Sequence, residues 1–193
     1  MENKKLYNIY NREHLAKKLT NEKESRFTCS FYRYTHLSNL ELLRNELYEK
    51  LMSLNVLGRI YIASEGINAQ FSVPNNNWKE LIKLFDSYKF FKDMHIKKAI
   101  EEGNSFLKLK IMIKKEIVAW NLDETEYNLL KTGEHLDAKE FNKLIDQKNT
   151  ILIDMRNSYE SEVGKFKSAI CPTSKRSKEL INEAKEILKG KEN

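Results

Sequence analysis

Hydrophobic and polar positions alternate in RFTCSFYRY, residues 26–34. Phe27, Cys29 and Phe31 fall on one side, Thr28, Ser30 and Tyr32 on the other. A period of two predicts a strand with one buried face. The period then lengthens: Leu40, Leu43, Leu47, Leu51 and Leu54 recur every three or four residues, which predicts a helix with one apolar stripe. Ser38, with Glu41 three positions later, reads as its capping box. Alternation returns in Val56–Ala63 and Gly66–Val73, two strands joined at a Ser64–Glu65–Gly66 corner. Pro74 has no N–H to give a ladder and ends the second. A helix from about Asn77 to Ser87 buries Trp78, Leu81, Ile82 and Phe85, and strands follow at Met94–Ile100 and Phe106–Ile113.

Strand, helix, hairpin, helix and strand, with one strand added, is the split βαβ or ferredoxin-like order. It predicts an antiparallel sheet with both helices on one face. Residues 26–119 suffice for it. Residues 1–25 read as a polar arm with a helical patch at Arg12–Leu19, and 120–133 as a linker. From 134 to 193 the pattern is α/β. Asp137 and Glu140 form a capping box ahead of inward Phe141, Leu144 and Ile145, and an amphipathic stretch runs from Lys178 to Leu188. Between them TILIDM (150–155) is a continuous apolar run, suited to a parallel strand covered on both faces. Only about forty residues follow it, whereas each crossover of a doubly wound sheet takes about 30. The expected fold is therefore an α+β ferredoxin-like N-terminal domain followed by an incomplete α/β domain.

Charge narrows the function classes. The 193 residues carry 34 Lys and Arg against 28 Asp and Glu, a net charge of +6. A positive chain is drawn to polyanions, nucleic acid above all; a composition rich in Lys and Asn produces the same charge without any RNA. No apolar run approaches the roughly 18 residues of a membrane span. The N-terminus, MENKKLYNIYNREHLAKKL, lacks the apolar core of a secretory signal. A cytoplasmic location is the expectation. Cys29 and Cys171 do not make a disulfide framework. His14, His36, His95 and His135 include no pair four residues apart, so no metal site is expected.

Candidate contact residues lie in three places. Glu65 and Asn68 flank Gly66 at the hairpin corner, where Gly66 allows a positive φ or a close backbone approach. Both side chains could reach a nucleotide, or could bond the turn's own backbone. Lys108, Lys110 and Lys114 fall on the solvent side of one strand, near Lys97 or Lys98, where ammonium groups could track phosphates or simply be solvated. An RNA-binding sheet also needs aromatic side chains on its central strands. Tyr32, Tyr34 and Tyr61 are the candidates, although no glycine-aromatic RNP motif accompanies them. The third place is the acidic-basic set Asp154, Arg156, Glu160 and Glu162. Arg156 there could contact RNA, or the set could only shape the turn. Cys29 points inward as a small hydrophobe. Cys171 precedes Pro172, which has no N–H to hold an anion, and reads as an incidental thiol.

SFYRYTHL (30–37), VLGRIYIASEGINAQFSVP (56–74), and GEHLDAKEFNKLI (133–145) running into ILIDMRNSYESEVGKFKSAI (151–170) together resemble the bacterial rhodanese-domain tRNA uridine hydroxylase family. Their order and spacing match as well. The resemblance implies that the second, incomplete domain is rhodanese-like. It also implies oxygen-dependent 5-hydroxylation of the wobble uridine of tRNA, with molecular oxygen as co-substrate and no other cofactor evident. In that family a cysteine sits in a cradle of backbone N–H groups, which stabilises a thiolate or persulfide. It would fall beyond Asn193, so no catalytic residue is expected within these 193 residues. Two alternatives stand beside this one: a rhodanese-type sulfurtransferase, which needs the same cysteine, and a non-catalytic RNA-binding remnant on the N-terminal domain.

Overall fold

Period-two patterning becomes strand and the leucine stripe becomes helix. The computed structural model describes residues 6–99, 105–118, 128 and 133–191. The chain divides into two compact units, Met1–Ile117 and Val118–Asn193.

In the first unit α1 (Arg12–Thr20) precedes β1 (Arg26–Tyr34), α2 (Leu40–Ser53), β2 (Leu57–Ala63), β3 (Gly66–Pro74), α3 (Trp78–Asp86), β4 (Lys97–Lys98) and β5 (Leu109–Ile113). The strands lie side by side as β4-β1-β3-β2-β5. β1 is antiparallel to both β3 and β4, and β2 to β3. The first four strands keep the ferredoxin-like order. The sheet is mixed rather than wholly antiparallel, because β5 runs parallel to β2 on the far edge.

Inward residues of the sheet meet both helices in one core. Cys29, Phe31, Ile60, Ile62, Phe71 and Ile111 pack with Leu43, Leu47 and Leu51 of α2 and with Leu81 and Phe85 of α3. Phe31 sets its ring edge-on to Phe85, centroids 5.2 Å apart. Each fully buried Leu or Phe contributes about 1.5–3 kcal/mol over its exposed state, which is why the unexposed Leu47 and Leu51 can fix the helix on the sheet.

Three local expectations are corrected. The Ser38–Glu41 capping box does not form: Asn39 is the N-cap, in the left-handed region at φ 49°, with no side-chain cap bond. Asn tolerates that conformation, and its position one residue later leaves Glu41 a residue short of the place a capping box requires. β4 is two residues long rather than Met94–Ile100; Met94 and Ile96 pack on the core instead, and Ile100 lies outside the described residues. β5 begins at Leu109, not Phe106.

The second unit holds α4 (Ala138–Ile145), α5 (Ser158–Val163) and α6 (Ser177–Leu188). The predicted box at α4 is present: Asp137 Oδ1 accepts from the Glu140 N–H at 2.8 Å, and Glu140 Oε2 accepts from the Asp137 N–H at 2.9 Å. The stripe behind it is not buried, and Leu144 stays 40% exposed. Nor does TILIDM form a strand. Ile153 makes one parallel bridge, to Ile170, and Ile151 and Met155 remain partly exposed. A parallel strand is buried only when neighbours and helices surround it; among the described residues this run has one bridge partner. The helix α5, unforeseen in the sequence, starts where Glu160 accepts from the Asn157 N–H at 3.2 Å. α6 buries Leu180 and Ala184.

Candidate nucleic-acid interface

The sheet face turned away from α2 and α3 carries the outward half of each alternation. Strand register arranges those residues in rows across the sheet. One row reads Lys97, Ser30, Gln70, Arg59, Lys110 from edge to edge. At about 4.8 Å per strand, it spans about 19 Å. Lys97, Gln70, Arg59 and Lys110 are all exposed. The next row reads Tyr32, Asn68, Tyr61, Met112. Tyr32 is 63% exposed, Lys114 places its Nζ 5.5 Å from the centre of the Tyr61 ring, and Tyr34 lies edge-on to Tyr32 at 6.4 Å. No outward position of these strands is Asp or Glu.

Both ends of this face are closed. At one end Arg26, only 6% exposed, donates from Nε to Ser72 Oγ at 3.1 Å and from Nη1 to Glu22 at 2.8 Å; its Nη2 reaches the Asn55 carbonyl. At the other end the chain leaving β5 crosses the hairpin corner. Glu65 Oε1 accepts the Ile117 N–H at 2.7 Å, and Asn68 Nδ2 donates to the Ile117 carbonyl at 3.1 Å. Ile117, Glu65 and the outward Ala63 are buried beneath that crossing. Gly66 fits there because it has no Cβ: at φ 148° a methyl group would collide with the Arg33 carbonyl oxygen of the adjacent strand. The basic row stays open between the closed ends; in the next row Asn68 is taken up by Ile117 and Tyr61 is half-buried, while the Tyr32 ring stands exposed.

The sequence candidates are thus dispersed. Glu65 and Asn68 come together on the Ile117 peptide. Lys110 joins the open basic row. Lys108 instead lines a cavity of about 530 Å³ beneath the N-terminal arm, with Tyr10, Tyr48 and Met52. Lys97 and Lys98 are not near Lys110 but at the opposite edge of the sheet, since β5 pairs with β2 and β4 with β1. Of these two lysines, only Lys97 shares the open face. Lys98 points to the helix side, its Nζ 3.7 Å from the centre of the Phe27 ring and 4.1 Å from that of Trp78. Arg59 was missed, although its outward position in LGRIYIA was readable; its place between Gln70 and Lys110 was not.

In the second unit Arg156 is engaged with its own loop. Its Nε and Nη2 donate to Asp154 at 2.9 and 2.6 Å, and Nη2 also reaches the Gly164 carbonyl at 2.7 Å. Ser161 Oγ donates to Asp154 as well, at 3.3 Å. The Arg156 hydrogen bonds hold the Asp154 carboxyl down at about 2. Burial pushes the Cys29 thiol up to about 11, against the opposing pull of Lys98. Cys171 is half-buried, its Sγ 3.8 Å from the Ala169 carbonyl. Among the described residues no group of three His, Cys, Asp or Glu side chains could hold a metal, and no helix is long and apolar enough to cross a membrane.

Residues 26–117 match the UPF0176 acylphosphatase like domain. The first unit carries a UPF0176 acylphosphatase-like domain. The match runs from Arg26, which closes one end of the open face, to Ile117, held by Glu65 and Asn68 at the other. Along almost the whole chain there is further similarity to proteins named tRNA uridine(34) hydroxylase. One from Leptospira interrogans is 49% identical over 189 residues, 97% of this chain and 52% of that protein. Relatives from Hamiltonella defensa and Yersinia pestis are 37% and 38% identical over 95% of this chain and 52% of their own. The chain spans about half the length of the curated relatives it matches. The resemblance read from the three motifs is borne out, and the UPF0176 domain holds two of those motifs.

Proposed function

We propose that this chain serves the oxygen-dependent 5-hydroxylation of the wobble uridine of tRNA, in the cytoplasm, with its UPF0176 domain contacting the tRNA. The observation that supports this reading is the 49% identity over 97% of the chain to a protein named tRNA uridine(34) hydroxylase. The open face adds physical support. Arg59, Lys110 and Lys97 form a row of cations with no outward carboxylate on the same strands, suited to a polyanion. Glu65 and Asn68 then support the interface by holding the chain beside it, and Lys110 touches substrate. In the same reading residues 120–133 are a linker and 134–193 the start of a rhodanese-like domain, in which Arg156 positions the loop after TILIDM.

The test is nucleoside mass spectrometry of tRNA from cells with the gene deleted and with it restored. Loss of 5-hydroxyuridine-derived nucleosides on deletion, and their return on complementation, is the expected pair of results. Unchanged levels after deletion defeat the proposal.

A further inference from the structure

The open basic row and the exposed Tyr32 ring beside it differ in chemistry, and their spacing is informative. Tyr32 stands two residues along its strand from Ser30 of the basic row, about 7 Å away. That offset is comparable to the reach from a phosphate to the base it carries. A duplex cannot use such a surface, because its bases are stacked on each other and only its backbone can meet the cations. An unpaired strand can present a base to Tyr32 while its phosphates follow the cations.

We propose that the open face of the UPF0176 domain binds unpaired nucleotides of single-stranded RNA, stacking a base on Tyr32 and holding phosphates on Arg59, Lys110 and Lys97. This rests on the tRNA reading for the identity of the polyanion, and it names the part of the molecule bound: a loop or splayed end rather than a helical arm. The closed ends set the direction of the bound strand. Arg26 with Ser72 blocks one side and Ile117 the other, so the strand crosses the sheet from β4 toward β5 instead of running along any β-strand. The Tyr32 side chain is 63% exposed and contributes no core packing, so a chain changed there keeps its fold.

Fluorescence anisotropy with the full 193-residue chain tests this. The probes are a short unstructured oligoribonucleotide, its blunt duplex of the same sequence, and polyglutamate as a plain polyanion. Tyr32→Ala should weaken single-strand binding about tenfold, the scale of one lost base–aromatic stack, and leave duplex binding within about twofold. Tyr32→Phe keeps the ring and should bind like the parent. Equal loss on duplex and single strand, or no loss on the single strand, overturns the proposal. So does polyglutamate binding as tightly as the oligoribonucleotide, which would reassign the face to an acidic protein. Nucleoside analysis in cells is independent of these outcomes, so failure here leaves the hydroxylation reading to stand or fall separately.

Discussion

Glu65 and Asn68, three residues apart, hold the two halves of one residue's backbone: the Glu65 carboxylate takes the Ile117 N–H and the Asn68 amide gives to the Ile117 carbonyl. A buried backbone N–H left without a partner costs about 1–3 kcal/mol. Glu65→Ala should therefore destabilise the first unit by about that amount in urea unfolding. Glu65→Gln still offers a carbonyl oxygen and should cost less than half as much. Equal losses from the two variants would show that charge, rather than acceptance of this hydrogen bond, is what matters.

Gly66 lies against β1 so closely that a Cβ has no room beside the Arg33 carbonyl. Overpacking of this kind costs about 1–3 kcal/mol, and the positive φ adds strain for any L side chain. Gly66→Ala should lower the thermal midpoint of the first unit measurably. An unchanged midpoint would mean that the hairpin corner relaxes freely.

The basic row makes binding depend on salt. Each phosphate-bound cation contributes about one to the slope of log K against log salt. Arg59→Gln and Lys110→Gln should each weaken tRNA binding and reduce that slope by about one. Lys98→Gln, on the other side of the sheet, should leave the slope alone. If the Lys98 variant lowers the slope as much as the Lys110 variant, net charge and not this face governs binding.

In the second unit the Asp154 carboxyl sits at about 2, below its ordinary 3.8. A depressed folded-state value means the unfolded chain binds the proton more readily. The stabilisation is thus complete above about pH 4 and is lost as pH falls toward 2. Limited proteolysis of the 154–164 segment should show protection that fades across that window. Arg156→Gln should reduce the protection at neutral pH and flatten the dependence; an unaltered pH profile in that variant would contradict the pairing.

The two thiols should separate in rate. Cys29 is 3% exposed and its thiol is pushed up to about 11, so little thiolate exists at neutral pH and reagent reaches it poorly. Iodoacetamide should label Cys171 first, with Cys29 modified only as the first unit opens. Peptide mass spectrometry reads the order, and prior labelling of Cys29 in folded protein would count against its placement in the core.

Much of this protein was decided by neighbours in the chain. The alternation of RFTCSFYRY turned Cys29 and Phe31 inward and Tyr32 outward, the leucine stripe made α2, and Asp137 with Glu140 capped α4, because these depend on periods and contacts within a few residues. Local patterning also misled: TILIDM reads as a buried strand, yet Ile153 has a single bridge, since strand formation depends on partners that lie elsewhere. Only the tertiary structure could place Lys97, Arg59 and Lys110 in one row, put β4 and β5 on opposite edges, and bring Ile117 to Glu65 and Asn68 across 52 and 49 positions. Side-chain direction follows from the backbone's own two-residue repeat, whereas strand register and order are settled by which surfaces bury each other.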